Sequence, residues 1–114
     1  MPLTLVPVII PSNESLSAPV DCTSGRLVRI TMPAAWDRDV ALTFELSSDD
    51  VFYNPLYTFD GDKELALHVT PGTAILVPQG FDGINFIKFR SGSKSNPRPQ
   101  AVEREFSIAL KTET

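Results

Sequence analysis

In the stretch ALTFELS, residues 41–47, Leu42, Phe44 and Leu46 alternate strictly with Thr43, Glu45 and Ser47. Successive side chains of a β-strand point to opposite faces, so this pattern predicts a strand with one dry face and one wet face. The rule recurs along the chain. In RLVRITM, Val28, Ile30 and Met32 share one face, and Arg29 and Thr31 the other. ELALHVT sets Leu65, Leu67 and Val69 inward, with Ala66 and His68 outward. NFIKFRS opposes Ile87 and Phe89 to Lys88 and Arg90, and EFSIALK aligns Phe106, Ile108 and Leu110. No stretch repeats with the 3.6-residue period of an amphipathic helix. Strands apolar on one side only belong to antiparallel sheets packed against each other.

The residues between these stretches are turn formers. Asp60-Gly61 is a hairpin signal, because both residues tolerate the positive φ of a tight turn. Thr70 to Gly72 and Pro78 to Gly83 read as further turns, and Ser91 to Pro99 as a polar loop before the last strand. Pro33 to Trp36 reads as a short helical turn with proline at its first position. Ten prolines among 114 residues exclude a helical bundle, since each removes a backbone donor. The prediction is an all-β protein: a two-sheet antiparallel sandwich of about eight strands, with jelly-roll or immunoglobulin-like topology. Residues 21–114 form the sandwich, and residues 1–20 a separate extended arm or an edge strand. In LTLVPVII both faces are apolar, yet Pro7 forbids a central strand position. Leu3, Leu5, Val8 and Ile10 are therefore candidate contacts for a partner chain, since exposed apolar edges invite strand addition.

Charge and composition narrow the function. The net charge of −4, with no dense basic stripe, argues against a nucleic-acid partner. Lys88, Arg90, Lys94, Arg98 and Arg104 read as a solvated face or loop. The N-terminal apolar run is interrupted by Pro2, Pro7 and Pro11 and has no basic residue before Leu3; it reads as neither a secretory signal nor a membrane span. Cys22 is the single cysteine, so no intrachain disulfide forms, and it reads as a small buried hydrophobe.

The inventory for catalysis is thin. One histidine and one cysteine leave no structural zinc set, and no glycine-rich loop precedes a helix to hold a nucleotide. A triad would have to use His68, on the outward face of a strand, and that position reads as solvent-facing rather than catalytic. Asp49 and Asp50, and again Asp60, Asp62 and Glu64, offer oxygen ligands for calcium, but turn formation accounts for both clusters. The expectation is a non-enzyme with no catalytic residues, metal or cofactor. The aromatics at the strand ends give the alternative. Trp36, Tyr53 and Tyr57, helped by Asp49 and Asp50, are a candidate platform for stacking a sugar ring; otherwise they fill the core.

As an ordered set, these features resemble a known family. MPAAW at Met32 to Trp36 is followed by LTFELSSD at Leu42 to Asp49 and LYTFDG at Leu56 to Gly61. Phe81 to Gly83 and then IKFRSG at Ile87 to Gly92 complete the series. This order is similar to small proteins encoded in the structural gene clusters of tailed bacteriophages and prophages, over roughly Gly25 to Leu110. The resemblance implies a virion component with a β-sandwich body, assembled in the bacterial host cytoplasm and present in symmetric copies. Its expected role is capsid decoration through protein–protein contacts with the major capsid protein or other virion proteins, as a homo-oligomer and with no membrane partner. A carbohydrate-binding or host-attachment module, or a tail or connector subunit, is the alternative. In this setting MPAAW is a sandwich corner with Trp36 plugged beneath the strands, and SSDD is a loop at one end.

Overall fold

The structure is a computed structural model that describes residues 3–58, 61–77, 81 and 84–112. These form eight strands: β1 (Leu3–Ile10), β2 (Val20–Asp21), β3 (Arg26–Thr31), β4 (Leu42–Ser47), β5 (Asn54–Pro55), β6 (Ala74–Leu76), β7 (Phe86–Ser91) and β8 (Arg104–Lys111). They lie in two four-stranded antiparallel sheets, ordered β1-β8-β3-β6 and β2-β7-β4-β5. The first strand pairs with the last, β2 with β7, β3 with β6 and β4 with β5. That is one long antiparallel ribbon wound over on itself, the jelly-roll alternative of the two topologies.

The alternating apolar residues meet between the sheets. Leu42 and Phe44 of β4, Ile87 and Phe89 of β7, and Phe106, Ile108 and Leu110 of β8 are buried there. Five aromatic rings form a run of edge-to-face contacts: Phe81–Phe44 at 5.4 Å, Phe44–Phe89 at 5.5 Å, Phe89–Phe106 at 5.4 Å and Phe106–Trp36 at 6.2 Å. Phe44 and Phe89 belong to one sheet and Phe106 to the other, so the run ties the two layers together. Each contact contributes about 1 kcal/mol beyond the apolar area it buries.

In β1, Val8 and Ile10 are among the buried residues, whereas Leu3, Leu5 and Ile9 face outward. β1 pairs with β8 from Leu3 opposite Lys111 to Ile10 opposite Arg104, so the N-terminal segment is an edge strand of the sandwich along this length. Pro7 sits at its middle, where an edge position tolerates the missing donor.

Four local expectations are corrected. In β3 the register shifts between Leu27 and Arg29, which turns Leu27 into the core and leaves Val28 only half-buried. A bulge breaks strict alternation by inserting one extra residue. Leu65 to Val69 is not a strand: it runs beside β4 through an isolated bridge in which Leu42 and Leu67 exchange backbone hydrogen bonds of 2.9 and 3.0 Å. Pro33 to Trp36 forms a turn at Ala34 and Ala35 rather than a helix. The face of β4 read as wet is covered, with Thr43, Glu45 and Ser47 all buried. Of the turn Pro78 to Gly83 only Phe81 lies within the described residues, and Asp60 of the Asp60-Gly61 signal lies outside them.

Candidate functional site

What covers the outer face of β4 is a charged cluster. Arg90 of β7 lies opposite Thr43, and its guanidinium pairs with the Glu45 carboxylate and, at 3.0 Å, with Glu64. The backbone N–H of Lys94 donates to Glu64 at 3.0 Å, and the Lys94 ammonium lies 3.6 Å from Glu45. Arg90 keeps only 5 % of its side-chain surface exposed. Arg104 is likewise drawn in, donating to Asp37 at 2.8 Å and to Gln100 at 2.5 Å. Two members of the expected basic surface stretch are therefore structural ion-pair residues.

Among the described residues, two surfaces are candidates for binding. The first is the outer face of the β1-β8-β3-β6 sheet. Register places Leu5, Ala109, Arg29 and Leu76 in one cross-strand row and Pro7, Ser107, Thr31 and Ala74 in the next. Leu3, Leu5, Ile9 and Leu76 expose large apolar side chains here, Leu5 at 61 % and Leu76 at 82 %. Of the four contact residues expected from sequence, Leu3 and Leu5 lie on this face. Val8 and Ile10 are core residues, because even-numbered positions of β1 point between the sheets; this corrects their assignment as partner contacts. Ile9 and Leu76 were missed. Parity within β1 was the signal for Ile9, but apolar residues on both faces concealed it.

The second is a cleft of about 390 Å³ at one end of the sandwich, where β4 runs into the loop before β5. Its lining includes Ser48, Asp49, Phe52, Asn54, Tyr57 and Asn85. The loop is held by its own side chains. The Ser47 hydroxyl accepts from the N–H of Asp50 at 2.9 Å and donates to Asp49 Oδ1 at 2.9 Å. The same Oδ1 accepts from the N–H groups of Val51 at 2.9 Å and Phe52 at 3.1 Å. Those hydrogen bonds favour the ionised form and hold the Asp49 carboxyl below the usual aspartate value. Asp50 takes a positive φ of 63°, which an aspartate tolerates in a turn.

The structure separates the three rings expected to form a platform. Trp36 is 4 % exposed; its Nε1–H donates to the Val40 carbonyl at 3.0 Å, and it stacks edge-on against Phe106. It is the core plug beneath the MPAAW corner and offers no face to a ligand, which corrects its place in the platform. Tyr53 is half-buried. The Lys88 ammonium lies 4.3 Å from its ring centre and its hydroxyl donates to Asp50. Burial, with Asp50 beside it, raises the Tyr53 phenol above its ordinary value. Tyr57 is exposed and lines the cleft, joined there by Phe52, 70 % exposed. The turn formed by Ser47 to Asp50 was the only sequence signal that Phe52 would be projected outward.

His68 lies in a separate shallow depression of about 180 Å³ with Asp39 and Thr70, and no hydrogen bond joins these three side chains. Among the described residues, no group of His, Cys, Asp and Glu is placed to hold a metal ion, and no helix is long and apolar enough to cross a membrane. No known protein family matches the chain, and no curated protein or solved structure gives a match.

Proposed function

We propose that the protein is a structural component of a tailed-bacteriophage virion that decorates the capsid through protein–protein contacts. The observation that carries this reading is the outer face of the β1-β8-β3-β6 sheet. There Leu3, Leu5, Ile9 and Leu76 stand exposed around the short side chains of Pro7, Ser107, Thr31 and Ala74. An apolar surface on a sheet face, crossed by Arg29 between Ala109 and Leu76 and bordered by Glu105 and Lys111, has the mixed anatomy of a protein interface. The ordered MPAAW to RSG motifs, similar to phage structural proteins, support the same setting. In it, the major capsid protein seats the patch, and symmetric copies of the chain act together. Each contact need only be modest, because many copies on one lattice add their contributions.

The test mixes purified protein with capsids that lack it and images them by cryo-electron microscopy. Regular density on the lattice, with the β1 face against the capsid, is the expected result. A Leu5→Glu, Ile9→Lys variant keeps its fold, since both side chains point outward, and leaves the capsids bare. Bare capsids with the unaltered protein would overturn decoration and move the protein to the tail.

A further inference from the structure

We propose that the cleft between the Ser47–Phe52 loop and Asn85 is a binding site for neutral carbohydrate, with Phe52 and Tyr57 as its stacking surfaces. A ligand site is a concavity of some hundreds of cubic ångströms with apolar walls and a few convergent polar groups, and this cleft of about 390 Å³ has that form. Two exposed aromatic rings line it, and Leu46, Leu56 and Ile84 supply further apolar surface. A pyranose presents apolar C–H groups on its ring face and hydroxyls around its edge, so it matches rings beside hydrogen-bonding groups.

The polar groups suit hydroxyls. The side chains of Ser48, Asn54 and Asn85 make no hydrogen bond among the described residues, and an amide offers both donor and acceptor to neighbouring hydroxyls. Asp49 commits one oxygen, Oδ1, to the loop, and among the described residues Oδ2 has no partner, so it can accept from a ligand hydroxyl. Among the described residues no Lys, Arg or His lines the cleft and the one charged side chain there, Asp49, is negative, so the site disfavours phosphate, nucleic acid and acidic sugars. The loop is already fixed by Ser47 and Asp49, and a fixed loop loses less entropy on binding. The site lies on the loop end of the sandwich, apart from the β1 face, and stands whether or not the protein rides on a capsid.

The experiment applies the full chain to an array of neutral and acidic oligosaccharides. Glucose, galactose, mannose and N-acetylglucosamine are then titrated at millimolar concentration while backbone amide resonances are followed. Expected are binding to at least one neutral glycan, shifts centred on Val51, Phe52 and Asn85, and a loss of at least tenfold in affinity for Phe52→Ala and for Tyr57→Ala. Both variants should keep the unaltered melting profile, since the rings are exposed. Binding confined to acidic glycans, no binding at all, or affinity unmoved by both substitutions overturns the proposal. Loss of capsid binding in Phe52→Ala also overturns it, because the cleft would then be a capsid contact; loss in the β1-face variant alone leaves the sugar site intact.

Discussion

Arg90 and Glu45 form an ion pair on the outer side of the β2-β7-β4-β5 sheet, in a place that strand alternation assigns to solvent. Glu64 completes the cluster from the far side of Arg90, and Lys94 closes over both acids. The cluster thus anchors two otherwise irregular segments, the one after β5 and the one after β7, to the sheet. Its energetic value lies less in mutual attraction than in the cost of leaving any member alone.

Arg90→Met should therefore be costly. It strands two largely buried carboxylates and should lower stability by about 3 kcal/mol. Thermal unfolding reads this as a drop of roughly 10 °C in Tm. The triple change Glu45→Leu, Glu64→Leu, Arg90→Met should recover most of the loss, and failure to recover would mean that the cluster does more than balance charge.

Two glycines with similar backbone conformations should respond very differently to alanine. Gly92 has φ 92°, and a Cβ there would lie 2.6 Å from both the Arg98 nitrogen and the Asn96 carbonyl oxygen. Gly92→Ala should cost about 3 kcal/mol, since strain and backbone collision add. Gly61 has φ 74° with open space around it, so Gly61→Ala should cost only about 1 kcal/mol. Urea unfolding of the two variants side by side measures the difference.

Trp36 is the single tryptophan and is sealed in the core, so native fluorescence should be blue-shifted and resist quenching by acrylamide. Trp36→Phe keeps an aromatic ring, though a smaller one, but leaves the Val40 carbonyl without its donor, at about 2 kcal/mol. Trp36→Ala also opens a cavity beside Phe106 and should cost about 4 kcal/mol. A red-shifted, freely quenched native spectrum would contradict the burial.

Cys22 gives a pH dependence with a definite sign. Burial, with the Asp21 carboxylate as a lesser cause, raises its thiol from 9.0 to about 11. The unfolded chain then loses its thiol proton at lower pH than the folded one. The stabilisation is complete below about pH 9 and is lost as pH rises through about 11. Cys22→Ala should flatten that alkaline decline in chemical unfolding curves. In the native protein at pH 8, Cys22 should react with a thiol reagent far more slowly than in urea, because the thiolate is the nucleophile.

The architecture was legible because burial writes itself into alternate residues: Phe44, Phe89, Phe106 and Ile108 announce their faces wherever one side of the strand is dry. Legibility failed where burial came from outside the strand. Nothing in ALTFELS or NFIKFRS reveals that Glu64 and Lys94 will close over Glu45 and Arg90, since Glu64 is distant in sequence from Arg90 and Lys94 lies in the loop beyond the strand. The bulge at Leu27 inverted a local reading for a similar reason, being set by pairing with β8. The candidate surfaces were only half legible. Leu3 and Leu5 face outward and Val8 and Ile10 inward, and a strand apolar on both faces hid which half was core. Tyr57 is exposed at the cleft, while Trp36 takes the plug position and not the alternative platform one, a choice that a tryptophan after a Pro-Ala-Ala turn leaves open.

Pro7 has a further consequence. A protein whose outer strand is apolar is at risk of zipping edge to edge into filaments. Midway along β1, Pro7 removes a donor from the ladder that such a filament would need. It thereby hinders growth of a fibre along the edge of the sheet.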